Sequence, residues 1–371
     1  MTLPLVTSIF RRPQVSEPLG LAEFKIKLDL VLDELYAQKV IAAGEVDEEY
    51  AELLRQIRTF IARGGKRLRP YLAYLVYRGY GGRDEDSILH VAAALELYHN
   101  AWLIHDDIID RDIVRYGGLN VSGSYLERFS ATHTASDARH LSDSMALIAG
   151  DVNIIIAAEQ ILTSRFTESL KLMVLARAQK LNFELAGGQQ LDVLIPTFPL
   201  EEVTTERLLK VCQYKTATYT FDAPLQIGAI LAGKDQSVLE RISKVGIPMG
   251  IAFQLADDLL GTFGDENKLG KPVLTDLREG KRTLLVLYAL EVADQKQLAI
   301  LNAAIGNPKA GYRHLEQVRK IMEATKARQR VELLAQSQMD IALSQLDNLG
   351  LSKAANEELR RLADFSLRRS S

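Results

Sequence analysis

Apolar residues recur every three or four positions along most of this chain, and this helical period is the strongest constraint on its fold. Segments such as LAEFKIKLDLVLDELYAQKV and VELLAQSQMDIALSQL keep the period over several turns, and alternating strand patterns are absent. Prolines stand at the breaks, and neither a linker nor an internal repeat marks a second domain. The pattern predicts an all-α, single-domain helical bundle over residues 20–371, after an irregular tail over residues 1–19.

The composition excludes several classes of protein. At 371 residues and 47% hydrophobic, the chain can bury a large core, and its net charge of −3 argues against a broadly basic nucleic-acid binder. The single cysteine, Cys212, argues against a disulfide scaffold. Residues 1–19 lack the apolar region of a signal peptide, and polar residues interrupt the apolar stretch Met145–Leu162. We therefore expect a cytoplasmic protein with neither a membrane span nor a nucleic-acid partner.

Two aspartate pairs lie inside otherwise apolar helical stretches, in DDIID from Asp106 to Asp110 and in DDLLG from Asp257 to Gly261. Acids that follow such apolar runs favour an ion site over a solvated charge patch. On a helix, Asp106 and Asp110 lie one turn apart on the same face. Carboxylate oxygens suit Mg²⁺ or Mn²⁺, and Mg²⁺ is usually shared with substrate phosphates. The clusters predict a metal-dependent site for a phosphorylated substrate.

Basic residues supply the opposite charge. The segment GGKRLRP places Lys66, Arg67 and Arg69 on a Gly-Gly turn where a helix begins, so cations and free backbone N–H groups would face an anion together. Arg115 follows the first acid cluster. Further lysines lie near the second cluster: Lys215, Lys268, Lys271 and Lys281. Acids for metal and bases for oxyanions together imply more than one phosphate group.

A series of motifs occurs in a fixed order between Gly64 and Leu285: GGKRLRP, LELYHNAWLIHDDIID, the Arg115 that follows it, GGQQLD, KTAT, FQLADDLLG and GKPVLTDLREGKRT. In this order and spacing they resemble the motifs of the trans-isoprenyl diphosphate synthases, the polyprenyl synthetase family. The resemblance implies an isoprenoid synthase-type bundle around a central active-site cavity. It further implies a homodimeric prenyltransferase that joins isopentenyl diphosphate head to tail to an allylic diphosphate.

The resemblance assigns the acids to metal binding. Asp106 and Asp110 would bind the Mg²⁺ that holds the allylic diphosphate, with Asp107 close by. Asp257 would bind the third of three ions, and Asp258 would support it through water. Mn²⁺ is the alternative metal.

The resemblance also assigns the polar residues. Lys66, Arg69 and His99 would hold isopentenyl diphosphate. The allylic diphosphate would be held by Arg115, Lys215, Lys271 and Lys281. Thr216 and Gln254 would flank the developing carbocation, so that Lys215, Thr216 and Gln254 are the catalytic set, and Asp192 would face the same cavity.

The chain departs from the family pattern at two positions. Tyr116 follows Arg115 where most relatives have a second arginine, and a tyrosine can hydrogen-bond a phosphate but cannot neutralise it. We therefore expect weaker isopentenyl diphosphate binding, or compensation by a cation such as Arg67. The second acid motif ends in Gly261 rather than aspartate, which puts little in doubt because that acid is the one least directly bound to metal in relatives.

Residues upstream of Asp106 on the same helix are expected to limit product length. Ala101 leaves room where farnesyl-length enzymes often carry an aromatic residue, and Tyr98 is then a deeper floor, which favours geranylgeranyl diphosphate. If Trp102 points inward, it favours the shorter farnesyl product, so both lengths stay open. The polar stretch Asn120–Arg139 is a candidate for a mobile flap near the site.

Two rival functions remain. A terpene cyclase would share the fold and the first acid motif, but it lacks GGKRLRP and carries a different second metal motif. A non-catalytic subunit of a heteromeric prenyl synthase is suggested by Tyr116 and Gly261. The intact aspartates at 106, 107, 110, 257 and 258 argue against it.

Overall fold

A computed structural model describes residues 18–264 and 273–368 of the chain, and these form a helical bundle, as predicted. The helices are α1 (Leu21–Gly44), α2 (Glu48–Ala62), α3 (Leu68–Gly79), α4 (Glu85–Ile109), α5 (Val121–Ser130), α6 (Ala135–Thr163), α7 (Glu168–Leu194), α8 (Thr205–Val211), α9 (Ala223–Leu231), α10 (Gln236–Phe263), α11 (Thr275–Glu279), α12 (Leu284–Val292), α13 (Gln295–Ala304), α14 (Tyr312–Ala324), α15 (Ala327–Leu346) and α16 (Lys353–Arg368). Single 3₁₀ turns lie at Ile195–Thr197, Leu200–Glu202 and Asp347–Leu349.

Side-chain caps fix where the two helices that carry the acid clusters begin. Asp84 accepts a hydrogen bond from the Ser87 amide at 3.0 Å and so starts α4, the helix that carries the first acid cluster. Asp235 caps α10, the helix of the second acid cluster, through the Val238 amide at 3.1 Å. Each cap satisfies a backbone donor that the first helical turn leaves unpaired.

The apolar core has two parts that meet at α10. The larger part joins α1 to α4 with α6, α9 and the first half of α10, which contributes the fully buried Met249. The smaller part joins the second half of α10, through Leu255 and Leu259, to helices α11 to α15. Asp257 and Asp258 lie between these two leucines in sequence. The second acid cluster is therefore anchored by a helix that is packed into the core on both sides.

A π-helical segment, Cys212–Asp222, joins α8 to α9 without a break. Its wider turn is seen where the Ala223 amide donates to the Thr218 carbonyl, five residues earlier. Glycines on the two helices that flank this segment, α7 and α10, make room for it. A Cβ placed on Gly188 of α7 would lie 2.5 Å from the backbone nitrogen of Lys215. A Cβ placed on Gly250 of α10 would lie 2.3 Å from the Ala217 Cα.

Residues 111–139 differ from what the sequence predicted. A short antiparallel hairpin, β1 (Val114–Arg115) with β2 (Gly118–Leu119), follows α4, although no strand was expected. The stretch Asn120–Arg139, the candidate for a mobile flap, forms α5 and the start of α6, and its mobility stays a prediction. Asn120 caps α5 through the Gly123 amide at 2.7 Å, and Tyr125 is buried where α5 packs on α6.

Helix α6 is long and apolar enough to cross a membrane and is the one such helix in the described ranges. Half of its apolar segment is buried inside the fold, where α6 packs on α4 and α5. Such burial is typical of a core helix in a bundle and agrees with the buried helix predicted for Met145–Leu162.

Candidate active site

The first acid cluster occupies the C-terminal end of α4. Asp107 is buried and accepts a hydrogen bond from Arg115 Nε at 2.6 Å. Burial raises the pKa of Asp107 to about 7, although the Arg115 charge opposes this. Asp110 ends the helix with an exposed side chain, and desolvation followed by repulsion from Asp106 raises its pKa to about 6. Asp107 thus holds Arg115 in place, while Asp110 is open to a ligand.

Asp106 is surrounded by hydrogen-bond donors and cations. Gln189 Nε2 of α7 donates to Asp106 Oδ1 at 2.7 Å, and Lys215 Nζ lies 3.6 Å from the same oxygen. Arg115 Nη2 lies 3.9 Å from the other oxygen. These neighbours hold the carboxylate where α4 approaches α7 and the π-helical segment.

The second acid cluster is linked to the π-helical segment by a chain of hydrogen bonds. Thr216 Oγ1 donates to Gln254 Oε1 at 2.5 Å, and Gln254 Nε2 donates to Asp258 Oδ1 at 2.8 Å. Burial raises the pKa of Asp258 to about 7, whereas Asp257 is exposed. The two neighbouring acids thus differ in burial, and their assignment as a metal ligand and a supporting acid stays a prediction.

Asp276 lies where the second motif lacks its last acid. A Cβ on Gly261 would come within 2.8 Å of Asp276 Oδ2, so the glycine leaves room for that carboxylate. Asp276 also acts electrostatically on Asp258 and on Lys281. An acid from α11 therefore joins the second cluster at the position of the missing side chain.

Lysines and acids alternate between the two clusters. Lys215 Nζ, near Asp106, also donates to Asp192 Oδ2. Burial alone would raise the pKa of Asp192, but Lys215 and Lys281 lower it below its usual value. Burial likewise opposes the charge of Lys281, but Asp276, Asp258 and Asp192 outweigh it and hold its pKa well above the usual value. The site therefore keeps both lysines charged.

Only part of the positive charge of the GGKRLRP turn is exposed on the surface. Arg67, in a left-handed conformation with φ 50°, starts α3 and has a buried side chain. Its Nε lies 2.8 Å from Asp29 Oδ1, and its Nη1 lies 2.6 Å from Glu96 Oε1. Lys66 beside it is exposed. The expectation that Arg67 compensates for Tyr116 is wrong, because Arg67 is already neutralised inside the protein.

Arg69 is held by two neighbours. Its Nη1 lies 3.2 Å from His99 Nε2, and its Nη2 donates to Thr220 Oγ1 at 2.8 Å. Because arginine only donates, His99 Nε2 accepts and His99 Nδ1–H donates to Tyr219 Oη at 2.6 Å. Burial, then the charge of Arg69, lowers the pKa of His99 well below its usual value. Neutral His99 thus orients Arg69.

One donor of Arg69 is left over. Its Nε is buried and has no hydrogen-bond partner within the described parts of the chain. A buried, unpartnered guanidinium N–H is costly unless a ligand accepts from it. A phosphate oxygen would satisfy this donor.

Tyr116 occupies the tip of the hairpin. It has φ 55°, is 42% exposed, and its ring centroid lies 6.1 Å from that of Phe60. Burial and then Glu96 raise the pKa of its phenol, while Arg115 and Arg69 act in the opposite direction. The neutral phenol therefore lies within electrostatic range of Arg69, beside the GGKRLRP turn.

The residues expected to limit product length differ in how far they are buried. Tyr98 and Ala101 are fully buried. Trp102 is partly exposed and crosses to α7, where its Nε1–H donates to Asn182 Oδ1 at 3.0 Å. Trp102 packs on a small apolar cluster made of Leu181, Leu185, Tyr219 and Ala223. Trp102 and Tyr98 therefore both contact α7, and Tyr98 does so by accepting a hydrogen bond from Gln179 at 3.3 Å.

Part of the predicted site lines one cavity, and the first acid cluster lies outside the described lining of that cavity. Its described lining includes Asp192, Lys215, Thr216, Gln254, Asp258 and Lys281. Lys268 and Lys271 lie outside the described residues. No three carboxylate, histidine or cysteine side chains within the described ranges come close enough to enclose an ion by themselves. An ion here would complete its shell with substrate oxygens and water, as Mg²⁺ commonly does.

Several residues at the site were not singled out from the sequence. Gln189 lies in the quoted motif GGQQLD, so that motif carried a signal for it. Asp276 lies in GKPVLTDLREGKRT in the same way. Tyr219 and Asn182 had no signal, because their positions depend on the π-helical turn and on the facing of α7 and α4.

The chain is similar in sequence to known proteins. Residues 51–357 match the family model described as polyprenyl synthetase. The chain is 32% identical to the geranylgeranyl diphosphate synthase of Saccharolobus solfataricus over 311 residues, covering 82% of this chain and 87% of that protein. It is also 32% identical to the geranylfarnesyl diphosphate synthase of Aeropyrum pernix over 306 residues, covering 81% of this chain and 89% of that protein.

A solved structure shares the fold. The geranylgeranyl pyrophosphate synthase from Corynebacterium glutamicum, complexed with isoprenyl diphosphate and magnesium, superposes with a TM-score of 0.88 and 29% sequence identity. The match covers 95% of this chain and all of that chain, at 100%. The architecture is therefore that of an all-α prenyl synthase.

Proposed function

Because the chain belongs to the polyprenyl synthetase family, we propose that it condenses isopentenyl diphosphate head to tail with an allylic diphosphate, giving a short-chain prenyl diphosphate. We propose geranylgeranyl diphosphate as the product, in line with the names of its relatives. The carrying observation is the alternation of charge from Asp106 through Lys215, Asp192 and Lys281 to Asp258. It links the two acid clusters and suits a substrate that carries several negative charges.

We infer that Mg²⁺ is the metal. Carboxylate oxygens are its preferred ligands, and the C. glutamicum neighbour is a magnesium complex. Asp106, Asp110 and Asp257 would hold the ions, with Asp107 and Asp258 in support. Three ions are expected from the family, and Mn²⁺ is an alternative. Bound metal would neutralise the negative charge that gathers on the departing diphosphate.

The cations of this chain would bind the allylic diphosphate. Lys215 lies beside Asp106, and Arg115 is held against the same cluster by Asp107, so both face the group that departs. Lys281 adds charge from the side of the second cluster. Lys271 stays a prediction. Positive groups placed before the C–O bond breaks stabilise the negative charge as it develops.

The carbocation would be stabilised by oxygens rather than by a base. The Thr216 hydroxyl donates a hydrogen bond to Gln254, which leaves the lone pairs of the Thr216 oxygen available to a nearby positive charge. His99 is not available as a base, because its Nε2 already accepts from Arg69. The proton that leaves after the isopentenyl double bond attacks C1 would therefore go to the departing diphosphate.

Isopentenyl diphosphate would bind between the GGKRLRP turn and the hairpin. Lys66 is exposed there, and Arg69 has the unpartnered buried Nε. Tyr116 offers a hydrogen bond without a charge, which would weaken binding relative to an arginine. His99 would act by holding Arg69.

We propose a homodimer formed through α6 and α7. Ile148, Ile155 and Leu162 recur every seven residues on α6 and are 43%, 66% and 45% exposed. Phe183 of α7 is 82% exposed. A seven-residue apolar repeat on a helix suits packing against another helix. A cytoplasmic location is part of the same proposal, since both substrates would be water-soluble diphosphates.

The rival functions have less support. A terpene cyclase would not need the Lys66 and Arg69 turn, and a decayed partner subunit would not need the hydrogen-bond chain from Thr216 to Asp258. The intact acids and their separate environments favour an active enzyme.

The direct test is a product assay. The purified protein is incubated with Mg²⁺, labelled isopentenyl diphosphate and either dimethylallyl, geranyl or farnesyl diphosphate, and the dephosphorylated alcohols are separated by length. A C20 alcohol is the expected product, and a stop at C15 would replace it with farnesyl diphosphate. Absence of product from a folded protein with every primer, also in the Tyr116→Arg variant, would overturn the proposal.

A further inference from the structure

Helices α4 and α7 are bridged by three side-chain hydrogen bonds at successive levels. The bonds join Asp106 to Gln189 at 2.7 Å, Trp102 to Asn182 at 3.0 Å and Tyr98 to Gln179 at 3.3 Å. From one bond to the next, the residue numbers decrease on both helices, so the two helices run in the same direction. Each step along α4 is four residues, or about 6 Å at the rise of an α-helix.

The middle bond lies on an apolar surface next to the reacting end of the site. Trp102 packs on Leu181, Leu185, Tyr219 and Ala223, all of which are buried, while the indole itself is partly exposed. Tyr219 also contacts His99 and the Arg69 guanidinium, which lies 4.2 Å from its ring centroid. An apolar tail attached to a diphosphate at Asp106 would meet the indole about one helical turn from the metal end.

Asn182 holds the indole with only part of its hydrogen-bonding capacity. Its Oδ1 accepts from Trp102 Nε1, but its Nδ2 is buried and lacks a partner within the described residues. A carboxamide with an unsatisfied buried N–H is less favourable than a fully paired one. The bond to the indole is therefore the one hydrogen bond that the Asn182 side chain makes within the described residues.

We propose that Asn182 is a positioning residue that sets product length by holding the Trp102 indole across the tail pocket. A short allylic tail fits above the indole, and elongation beyond it requires the bond to break. The proposal rests on the proposed function, because it is the growing prenyl tail that fills this pocket.

The bond penalises longer tails for a simple reason. When the tail pushes the indole aside, both the indole N–H and the Asn182 carbonyl lose their partner in an apolar pocket. Without the Asn182 amide, the closed state, in which the indole is held, loses its hydrogen bond completely. The open state, in which the indole is displaced, still has an unpaired indole N–H but no longer an unpaired Asn182 carbonyl. Variants without the bond therefore favour the open pocket and longer products.

The single tryptophan of the chain gives a direct readout, because its emission reports on Trp102 alone. The full-length protein with Mg²⁺ and without isopentenyl diphosphate is titrated with dimethylallyl, geranyl and farnesyl diphosphate. We expect little change in emission wavelength with dimethylallyl diphosphate and a shift with the two longer primers. An equal response to all three primers, or no response to any bound primer, would overturn the proposal.

Product analysis tests the same bond. In Asn182→Ala we expect the ratio of C20 to C15 alcohol to rise about fivefold, the effect of losing one neutral hydrogen bond. Asn182→Asp keeps an acceptor and is expected to stay close to the wild-type ratio. Gln190→Ala removes an exposed amide from the same helix and is the control. Equal ratios in all of these proteins would refute the role of Asn182.

Trp102→Phe provides a second route if Asn182→Ala fails to fold. It keeps an aromatic ring but cannot donate the hydrogen bond, so the same rise in the C20 to C15 ratio is expected. An unchanged ratio in Trp102→Phe would contradict the proposal. Loss of all product in the wild-type protein would instead refute the proposed function, while the tryptophan titration would still test the indole.

Discussion

Carboxylates of the same type have different surroundings at this site, and their surroundings separate their roles. Asp107 is buried against Arg115, and Asp258 is buried against Gln254, so both support their neighbours. Asp110 and Asp257 are exposed and are free to bind a ligand. Asp106 contacts both donors and cations. At the residue scale, each cluster therefore contains a buried, hydrogen-bonded acid and an exposed one.

Asp106→Ala should lower turnover by about 10²- to 10³-fold, because the loss removes charge stabilisation at the departing diphosphate. The circular dichroism spectrum and Tm should stay close to those of the wild type. Asp86→Ala, an exposed aspartate on the same helix that is 73% accessible, is the matched control. Retained turnover in Asp106→Ala would contradict the metal assignment. Addition of EDTA should likewise stop turnover, and excess Mg²⁺ should restore it.

Arg67→Ala should act on stability rather than on substrate binding. The substitution leaves buried Glu96 without its cation, and breaking such a buried pair costs about 3 to 5 kcal/mol of unfolding free energy. Urea unfolding measures the loss. Arg55→Ala, at a solvent-exposed ion pair on α2, should cost less than about 1 kcal/mol. A normal stability with a raised KM for isopentenyl diphosphate would instead place Arg67 in the substrate site.

Asp258→Asn should make the metal-free protein more stable at high pH. Burial raises the pKa of Asp258 from 3.8 to about 7, so its ionised form is disfavoured in the folded state. Stability therefore falls as pH rises from about 4 to about 7, by at most about 4 kcal/mol for this group. In EDTA, the variant should exceed the wild-type Tm at pH 8 and approach it at low pH. An equal difference at both pH values would argue against this titration.

At the scale of elements, the π-helical segment places the functional side chains of Lys215, Thr216 and Tyr219. Its greater width is accommodated by glycines on the helices to either side, Gly188 on α7 and Gly250 on α10. Side chains at these two glycines would meet backbone atoms, which cannot move aside as the end of a flexible side chain can. The local shape of the cavity thus depends on residues that touch no substrate.

Gly188→Ala should displace the π-helical segment at Lys215. A Cβ there would lie 2.5 Å from the backbone nitrogen of Lys215. We therefore expect the free energy of unfolding to fall by about 1 to 3 kcal/mol, together with a lower kcat. Gly187→Ala is a matched control, since its Cβ would meet nothing within 4 Å and alanine favours a helix. Thermal unfolding and steady-state kinetics distinguish the two variants. Equal behaviour would show that the close approach is tolerated.

At the scale of the whole molecule, α6 has one face in the core and another that is apolar and exposed. Helix α6 packs on α4 and α5, whereas Ile148, Ile155 and Leu162 face outward beside α7. Contiguous exposed apolar surface on a globular protein usually marks an interface. The same helix therefore supports the fold on one side and suits association on the other.

Phe183→Glu and Ile155→Glu should convert the dimer into monomers, because each places a charge in an apolar interface. Sedimentation velocity measures the change. Leu333→Glu on α15, at a site that is 64% exposed, introduces the same charge on another helix and should leave the dimer intact. A wild-type protein that sediments as a monomer would contradict the proposed assembly.

The sequence by itself determined the helical class, the two acid clusters and the cations that accompany them. Helical period and motif order are local properties, so they can be read without knowing which helices are neighbours. The interpretation of Met145–Leu162 as a buried helix held for the same reason, since polar residues interrupt it. The family resemblance then assigned roles to residues as distant as Lys66 and Lys281.

The tertiary structure decided what depends on neighbours that are remote in sequence. It placed Arg67 in a buried pair with Glu96, brought Asp276 close to Gly261, and formed α5 in the polar stretch after the hairpin. It also directed Trp102 toward Asn182, a contact between residues 80 positions apart. Charge neutralisation, burial and cross-helix hydrogen bonds arise only when elements pack, because each depends on the distance between side chains rather than on their order in the chain.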